Sequence, residues 1–289
     1  MTSAAHDAQD VDDRLAHDLP LDSHVHTELS HDSDVPLHLY AAAARARNIS
    51  EIAVTDHLDF DRRDPNFKLD EYERRRRLVR EAADLWEGRP HLRFGAEITF
   101  ERRLEPQIRD YLATHPYDYV IGSVHISERT PLKDAHEAAR WCAGKTPAEA
   151  AGWYFDEVLG AIRSGLFDTI GHLDFVKRWL VPFVSVGYAT VPELYEPLLR
   201  ALVESGTALE INSSGLRQPA NELYPSPGAV ERFRELGGRY VTAGSDSHRI
   251  ETFAFALGDA YALLERAGFE DLAFRRGGER VTVPIGSRP

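Results

Sequence analysis

The chain has 289 residues, 43% hydrophobic and 28% charged, the make-up of an ordinary globular protein with room for one α/β barrel or two smaller domains. A net charge of −13 argues against broad nucleic-acid binding through a basic surface, and no apolar run approaches the ~20 residues that span a bilayer. Cys142 is the only cysteine, which excludes disulfides within the chain and cysteine zinc sites and fits a reducing cytoplasm.

Met1 to Asp18 is polar and acidic without the apolar stretch of a secretory signal, so residues 1–18 read as a flexible tail and 19–289 as one folded domain. The first strand runs through Leu21-Asp-Ser-His-Val-His26. Two histidines two apart on an extended strand face one side, where they can grip one cation, while Val25 points into packing. Asp32 follows in a Ser/Asp-rich turn that can curl a carboxylate back over the same spot, with His31 as the alternative.

Val35 to Asn48 reads as a helix with Pro36 near its first turn, and Ile49 to Thr55 as a buried strand ending at Asp56-His57. A polar loop covers 61–68. The helix from Leu69 to Glu87 stops at Gly88 and Pro90; its run Arg74 to Arg77 is interleaved with acids at helical spacing and reads as a solvated face. A strand from His91 to Ala96 leads into Glu97, Leu104 to Ala113 forms a weaker helix, and Tyr117 to Val124 a strand ending at His125. Ser127 to Lys145 has no clear period and reads as a long loop with a helical piece, a candidate wall or lid.

Thr146 to Ser164 is a helix with Thr146 as N-cap, Pro147 at N1 and Glu149 completing a capping box, closed by Gly165. Phe167 to Gly171 is a short strand ending at His172. Pro192 to Glu204 is a helix, Thr207 to Asn212 a strand, Pro227 to Leu236 a helix and Arg239 to Ser245 the last strand, ending at Asp246-Ser-His248; Ala256 to Ala267 closes the series. Short apolar strands alternating with helices predict a parallel sheet covered on both faces. No Gly-rich phosphate loop opens any helix, so a dinucleotide or P-loop fold is unsupported.

Six of the thirteen histidines (His24, His26, His57, His125, His172 and His248), together with Glu97 and Asp246, stand at C-terminal strand ends. In a barrel of parallel strands those ends converge on one face. So many imidazoles and carboxylates from different strands point to a metal cluster.

These residues carry a resemblance. His24-Val-His26 with Asp32, Thr55-Asp-His57, Gly95-Ala-Glu97, Gly122-Ser-Val-His125, Gly171-His-Leu-Asp174 and Ser245-Asp-Ser-His248 resemble, in order, the PHP (polymerase and histidinol phosphatase) family of metal-dependent phosphoesterases. The segments Gly171 to Arg178, Glu210 to Arg217 and Tyr224-Pro-Ser226 are similar to its monofunctional histidinol-phosphatase branch. The resemblance implies a distorted seven-stranded (β/α)7 barrel and three divalent ions, with zinc, iron and manganese all compatible. It implies one ion on His24, His26, Glu97 and Asp246, a second on bridging Glu97 with His125 and His172, and a third on Asp32, His57 and His248. Glu97, His125, His172 and Asp246 would then carry catalysis.

The implied reaction is hydrolysis of L-histidinol phosphate, late in histidine biosynthesis, by a metal-bound hydroxide attacking phosphorus in line. Arg178 and Arg217, with Lys177 as the alternative to Arg178, are the candidates for binding phosphate. Asp56 and Asp174 are placed to orient ligands or touch substrate, and Asp59, Glu222 and the 127–145 loop to recognise the imidazole and amine. The expected partner is a small phosphate monoester, with no nucleic acid or membrane. Alternatives are a phosphoesterase for a nucleotide, oligonucleotide or another small monoester, and a non-catalytic metal-stabilised module.

Overall fold

A computed structural model describes residues 21–62, 64–125, 132, 134–276 and 279–285. The expected tail, 1–18, and the stretch 127–131 of the expected loop lie outside the described residues. Strands β1 (Leu21–Val25), β2 (Glu51–Val54), β3 (His57–Leu58), β4 (His91–Thr99), β5 (Tyr119–Ser123), β6 (Thr169–Ile170), β7 (Ala208–Asn212) and β8 (Val241–Gly244) form one parallel sheet. Its order is β1-β2-β4-β5-β6-β7-β8, with the two-residue β3 pairing β4. A parallel bridge between Val25 and Ser247 joins the two ends; there His26 N donates to Ser247 O and Asp246 N to His24 O, both at 2.9 Å. The result is a nearly closed, seven-stranded barrel.

Helices α1 (Leu37–Ala46), α2 (Tyr72–Leu85), α3 (Glu105–Leu112), α4 (Ala135–Cys142), α5 (Pro147–Ser164), α6 (Lys177–Leu180), α7 (Pro192–Ser205), α8 (Pro227–Glu235) and α9 (Leu257–Arg266) occupy the crossovers. The α5 start is the capping box read from the sequence: Thr146 Oγ1 accepts from Glu149 N, and Thr146 N donates to Glu149 Oε2. Gly165 (φ 66°) and Gly206 (φ 68°) end α5 and α7 in the left-handed region that an L side chain enters only at a cost. Helices α5 and α7 pack on each other, and their apolar faces, through Tyr154, Phe155, Leu198 and Leu202, seal one side of the main core. All residues of β1, β2, β5, β7 and β8 are buried, as a sheet covered on both faces requires.

Three features differ from the sequence reading. The strand from His91 continues through Glu97 to Thr99, because Glu97 pairs in register with His57 on one side and Ile121 on the other. His57 therefore opens a short strand of its own instead of trailing β2. After α9, β9 (Asp271–Arg276) and β10 (Glu279–Pro284) pair as an antiparallel hairpin, where the sequence suggested no further element. No helix among the described residues is long and apolar enough to cross a membrane.

Candidate metal centre

The C-terminal strand ends deliver their side chains to one mouth of the barrel. His24 lies in β1 and His26 just beyond it; His57 starts β3, Glu97 sits in β4, and His125, His172, Asp246 and His248 follow β5, β6 and β8. Glu97 is fully buried at the centre. Its Oε2 lies 3.4 Å from His24 Nε2, 3.4 Å from His26 Nε2 and 3.0 Å from His57 Nδ1. Its Oε1 lies 3.4 Å from His125 Nε2 and 2.9 Å from His172 Nε2. Asp246 Oδ1 approaches His26 Nε2 at 3.5 Å, His24 Nε2 at 3.8 Å and His248 Nδ1 at 3.5 Å.

Asp32, exposed at the cavity edge, turns toward the same group: its Oδ2 is 3.5 Å from His57 Nε2 and 3.3 Å from His248 Nε2. His31 is exposed, and its backbone N donates to Asn66 Oδ1, so Asp32 is the residue of this turn that meets the histidines.

The rings are oriented from behind. His24 Nδ1 pairs with Glu210 Oε1 at 2.7 Å, His26 Nδ1 with Ser30 Oγ at 3.2 Å, and His125 Nδ1 with Thr99 Oγ1 at 2.8 Å. Each of these three rings therefore presents Nε2 to the mouth. Asp56 is one step removed. It accepts from Thr27 N, Thr27 Oγ1 and Ser30 Oγ, so it holds the loop that holds His26. Asp174 does not touch a ligand ring; Tyr195 Oη, Ser226 N and Lys177 converge on it.

His24 Nε2, His26 Nε2, His57 Nδ1 and Glu97 Oε2 are buried without a hydrogen bond. Leaving one such group unsatisfied costs about 1–3 kcal/mol, more where it is charged. Atoms sharing one ion at ~2.1 Å stand roughly 3–3.5 Å apart, which matches the spacing around Glu97. Three triads (His24, His26 and Glu97; His57, Glu97 and His125; His26, His57 and His248) each bring their ligand atoms within 4.8 Å of one another. The donor set of imidazoles and carboxylates suits zinc, iron or manganese.

The protein groups of the cluster perturb one another: burial lowers His24 and His57, but the carboxylates of Glu210, Glu97, Asp246 and Asp32 around them win and hold both rings well above the usual histidine range. Burial alone would raise the Glu97 carboxyl, but His24, His125 and His57 outweigh it and hold it well below the usual carboxylate range. His26 is pushed well below the usual histidine range by burial first and then by His248 and His57, leaving a neutral imidazole with a lone pair to give. His172 (φ 25°) and Asp246 (φ 53°) adopt left-handed backbone, uncommon for residues with a Cβ and a frequent mark of functional sites.

Beyond the cluster opens a cavity of about 810 Å3 lined by residues of both charges. Arg178, Arg217 and Arg249 line it together with Asp59, Asp61, Asp64 and Glu101. Arg217 is anchored by hydrogen bonds from its guanidinium to Ser245 O and Asp246 O. Arg178 is exposed beside the rings of Phe175 and Trp179.

Lys177 corrects the sequence reading. It is fully buried, its Nζ 2.8 Å from both Asp174 Oδ2 and Glu222 Oε1, and it does not line the cavity. Helical spacing from Asp174 turns it inward while its neighbour Arg178 turns out. Glu222 is engaged in the same pair, so of the two acids suggested for substrate recognition only Asp59 lines the cavity. Sequence reasoning gave Glu210 no role at the site. The available signal was a carboxylate in the middle of an apolar strand.

Comparison with known proteins places this geometry. The PHP domain matches residues 22–214. The chain belongs to the PHP family. It is 30% identical over 256 residues to a histidinol-phosphatase of Lactococcus lactis, covering 88% of this chain and 93% of that protein. It is 31% identical over 262 residues to a probable histidinol-phosphatase of Deinococcus radiodurans, covering 88% of this chain and 96% of that one. The crystal structure of the Lactococcus lactis histidinol phosphate phosphatase, solved with zinc, L-histidinol and phosphate, superposes with a TM-score of 0.77 at 26% identity. It covers 90% of this PHP chain and 98% of its own. The seven-stranded barrel is thus the PHP fold, and this mouth is its metal-binding face.

Proposed function

We propose that the chain is a histidinol-phosphatase: it hydrolyses L-histidinol phosphate to L-histidinol and phosphate, a phosphoric monoester hydrolysis in histidine biosynthesis. The observation that carries this reading is the convergence on Glu97 of five imidazoles, three of them (His24, His26 and His57) with a buried, unbonded nitrogen facing it, at the head of a cavity with arginines on its wall. The similarity to histidinol-phosphatases over most of the chain supports the substrate.

The ligand set we propose has three ions. His24, His26, Glu97 and Asp246 would hold the first, and Glu97, His125 and His172 the second. Glu97 would be shared by these two, and His57, Asp32 and His248 would hold the third. When bound, the ions would supply positive charge for the phosphoryl oxygens and a lowered pKa for the attacking water. Three carboxylates would not cancel three dications, so the loaded site would be locally positive although the protein is acidic, and would attract a phosphate dianion.

The chain's own residues do the rest. Arg178 and Arg217 would clamp the phosphate, and the anchoring of Arg217 to Ser245 O and Asp246 O fixes its guanidinium relative to the ligand Asp246. Asp59, across the cavity, would face the cationic amine or imidazole of the substrate. This chemistry needs no phosphorylated side chain: water takes the phosphoryl group and the histidinol alkoxide leaves and takes up a proton. The lone cysteine fits a cytoplasmic enzyme.

The test is phosphate release from L-histidinol phosphate before and after metal stripping, with elemental analysis of the same samples. Turnover lost on stripping and restored by zinc, iron or manganese is expected. No turnover by fully metallated protein would overturn the substrate and leave the metal centre in place.

A further inference from the structure

Glu210 lies in the middle of β7, fully buried, with both carboxylate oxygens engaged. Oε1 is 2.7 Å from His24 Nδ1. Oε2 accepts from His172 N at 2.7 Å and from Asn212 Nδ2 at 3.0 Å. It does not line the cavity beside the cluster and bonds to none of the converging Nε2 atoms, so it acts only through its neighbours. Those neighbours meet the two different oxygens of Glu97: His24 Nε2 approaches Oε2, and His172 Nε2 approaches Oε1.

The surroundings leave room for this one side chain. A Cβ on Gly244 would lie 2.8 Å from Glu210 Oε1 and 2.4 Å from His24 Cβ. A Cβ on Gly171 would lie 2.5 Å from Ser123 Oγ and 3.4 Å from Glu210 Oε2. Two strand-end glycines therefore form the slot in which the carboxylate bridges His24 to the His172 turn. That turn needs a partner, because His172 holds φ at 25°.

We infer that Glu210 is the positioning residue of the metal centre, setting the His24 tautomer with one oxygen and the His172 backbone with the other. An ionised carboxylate only accepts, so His24 carries its proton on Nδ1 and keeps the Nε2 lone pair for an ion. All three groups facing Glu210 are N–H donors. A glutamine of the same shape offers one acceptor oxygen and one NH2. Either the NH2 faces His24, forcing the ring proton onto Nε2, or it faces the His172 N–H and loosens that turn. The inference rests on the metal centre and is independent of which phosphate ester is hydrolysed.

The experiment measures metal, not turnover. Zinc-loaded wild-type and Glu210→Gln proteins are titrated with a chelator, and retained zinc is counted by elemental analysis. The variant is expected to hold the ion at His24 roughly 10–100-fold more weakly. Glu210→Asp, which keeps two acceptors, is expected to fall between the two. Long-range proton–nitrogen NMR correlations of the zinc-loaded wild type should show His24 protonated on Nδ1 and free of a proton on Nε2. A zinc-loaded His24 protonated on Nε2 would overturn the inference even if the glutamine variant fails to fold. Zinc retention equal to wild type would also overturn it. On a His24→Ala background the loss from Glu210→Gln should shrink; an equal loss on both backgrounds means general loosening and sinks the assignment.

Discussion

The barrel buries charge at both of its ends, and the two ends treat that charge differently. At the floor, Arg93 near the start of β4 and Glu51 at the start of β2 are each 1% exposed and form an ion pair through Arg93 Nε and Glu51 Oε1. Arg93 also donates to Ser23 Oγ at 3.3 Å and stacks its guanidinium 4.7 Å from the Tyr119 ring centre. At the mouth, four residues further along the same strand, Glu97 faces five imidazoles whose buried ligand atoms include several without a hydrogen bond. The floor neutralises itself with protein groups. The mouth is completed only by cations from outside. Buried charge that pairs internally is structure, and buried charge that does not is a request for a ligand.

The largest expected effect falls at the mouth. Glu97→Ala removes the group common to two of the three triads. Activity should drop by several kcal/mol of transition-state stabilisation, about three orders of magnitude, with loss of bound metal and an unchanged circular dichroism spectrum. A variant that keeps its full metal content would erase the contrast between the two ends.

Arg93→Met is the matching cut at the floor. It strips Glu51 of its guanidinium in a dry site, and breaking such a pair typically costs about 3–5 kcal/mol. For a chain of this size that corresponds to roughly a 10 °C fall in melting temperature. The protein that stays folded should carry its normal metal content and turn over normally. Melting temperature read beside kcat therefore separates the two ends: the mouth variant loses rate and keeps its fold, and the floor variant does the reverse.

How much of this was open to sequence reading follows from the same contrast. The convergence of His24, His26, His57, Glu97, His125, His172, Asp246 and His248 was legible because parallel strands bring all their C-terminal ends to one side, so position along the chain already encodes position in space. The capping box at Thr146 and Glu149 was legible because it is local. Lys177 misled because the short helix that turns it toward Asp174, three residues back, was not read from the sequence, and its second partner Glu222 comes from a distant loop. Glu210 entered only as the first residue of a family-like segment and was given no role; its meaning lies in His24, far away in sequence and 2.7 Å away in space. The extension of β4 past Glu97 depends on its pairing with β3 and β5, which no single segment announces.

A smaller effect is expected on the cationic wall. Arg178→Ala removes a guanidinium that can make charged hydrogen bonds worth about 1.5–3 kcal/mol, so kcat/KM should fall roughly 10–100-fold. Metal content should stay at the wild-type level. Product inhibition by inorganic phosphate should weaken in step, and unchanged inhibition would move the phosphate to Arg217 or Arg249.

The smallest effect belongs to the acidic wall, and it is the most selective. Asp59 lines the cavity that Arg178 and Arg217 also line, and it is buried. If it faces the cationic part of histidinol, Asp59→Asn removes a charge contact worth about 1 kcal/mol and raises KM for L-histidinol phosphate roughly fivefold. An ester without a cationic group, such as p-nitrophenyl phosphate, has no cation for Asp59 to meet, so its KM should not move. The comparison between substrates matters more than either value. Asp59 lies two residues from His57 in the chain, and a disturbance passed through that ligand would slow both esters alike. A loss confined to the cationic substrate places recognition on this wall; an equal loss on both assigns Asp59 to the support of the metal centre.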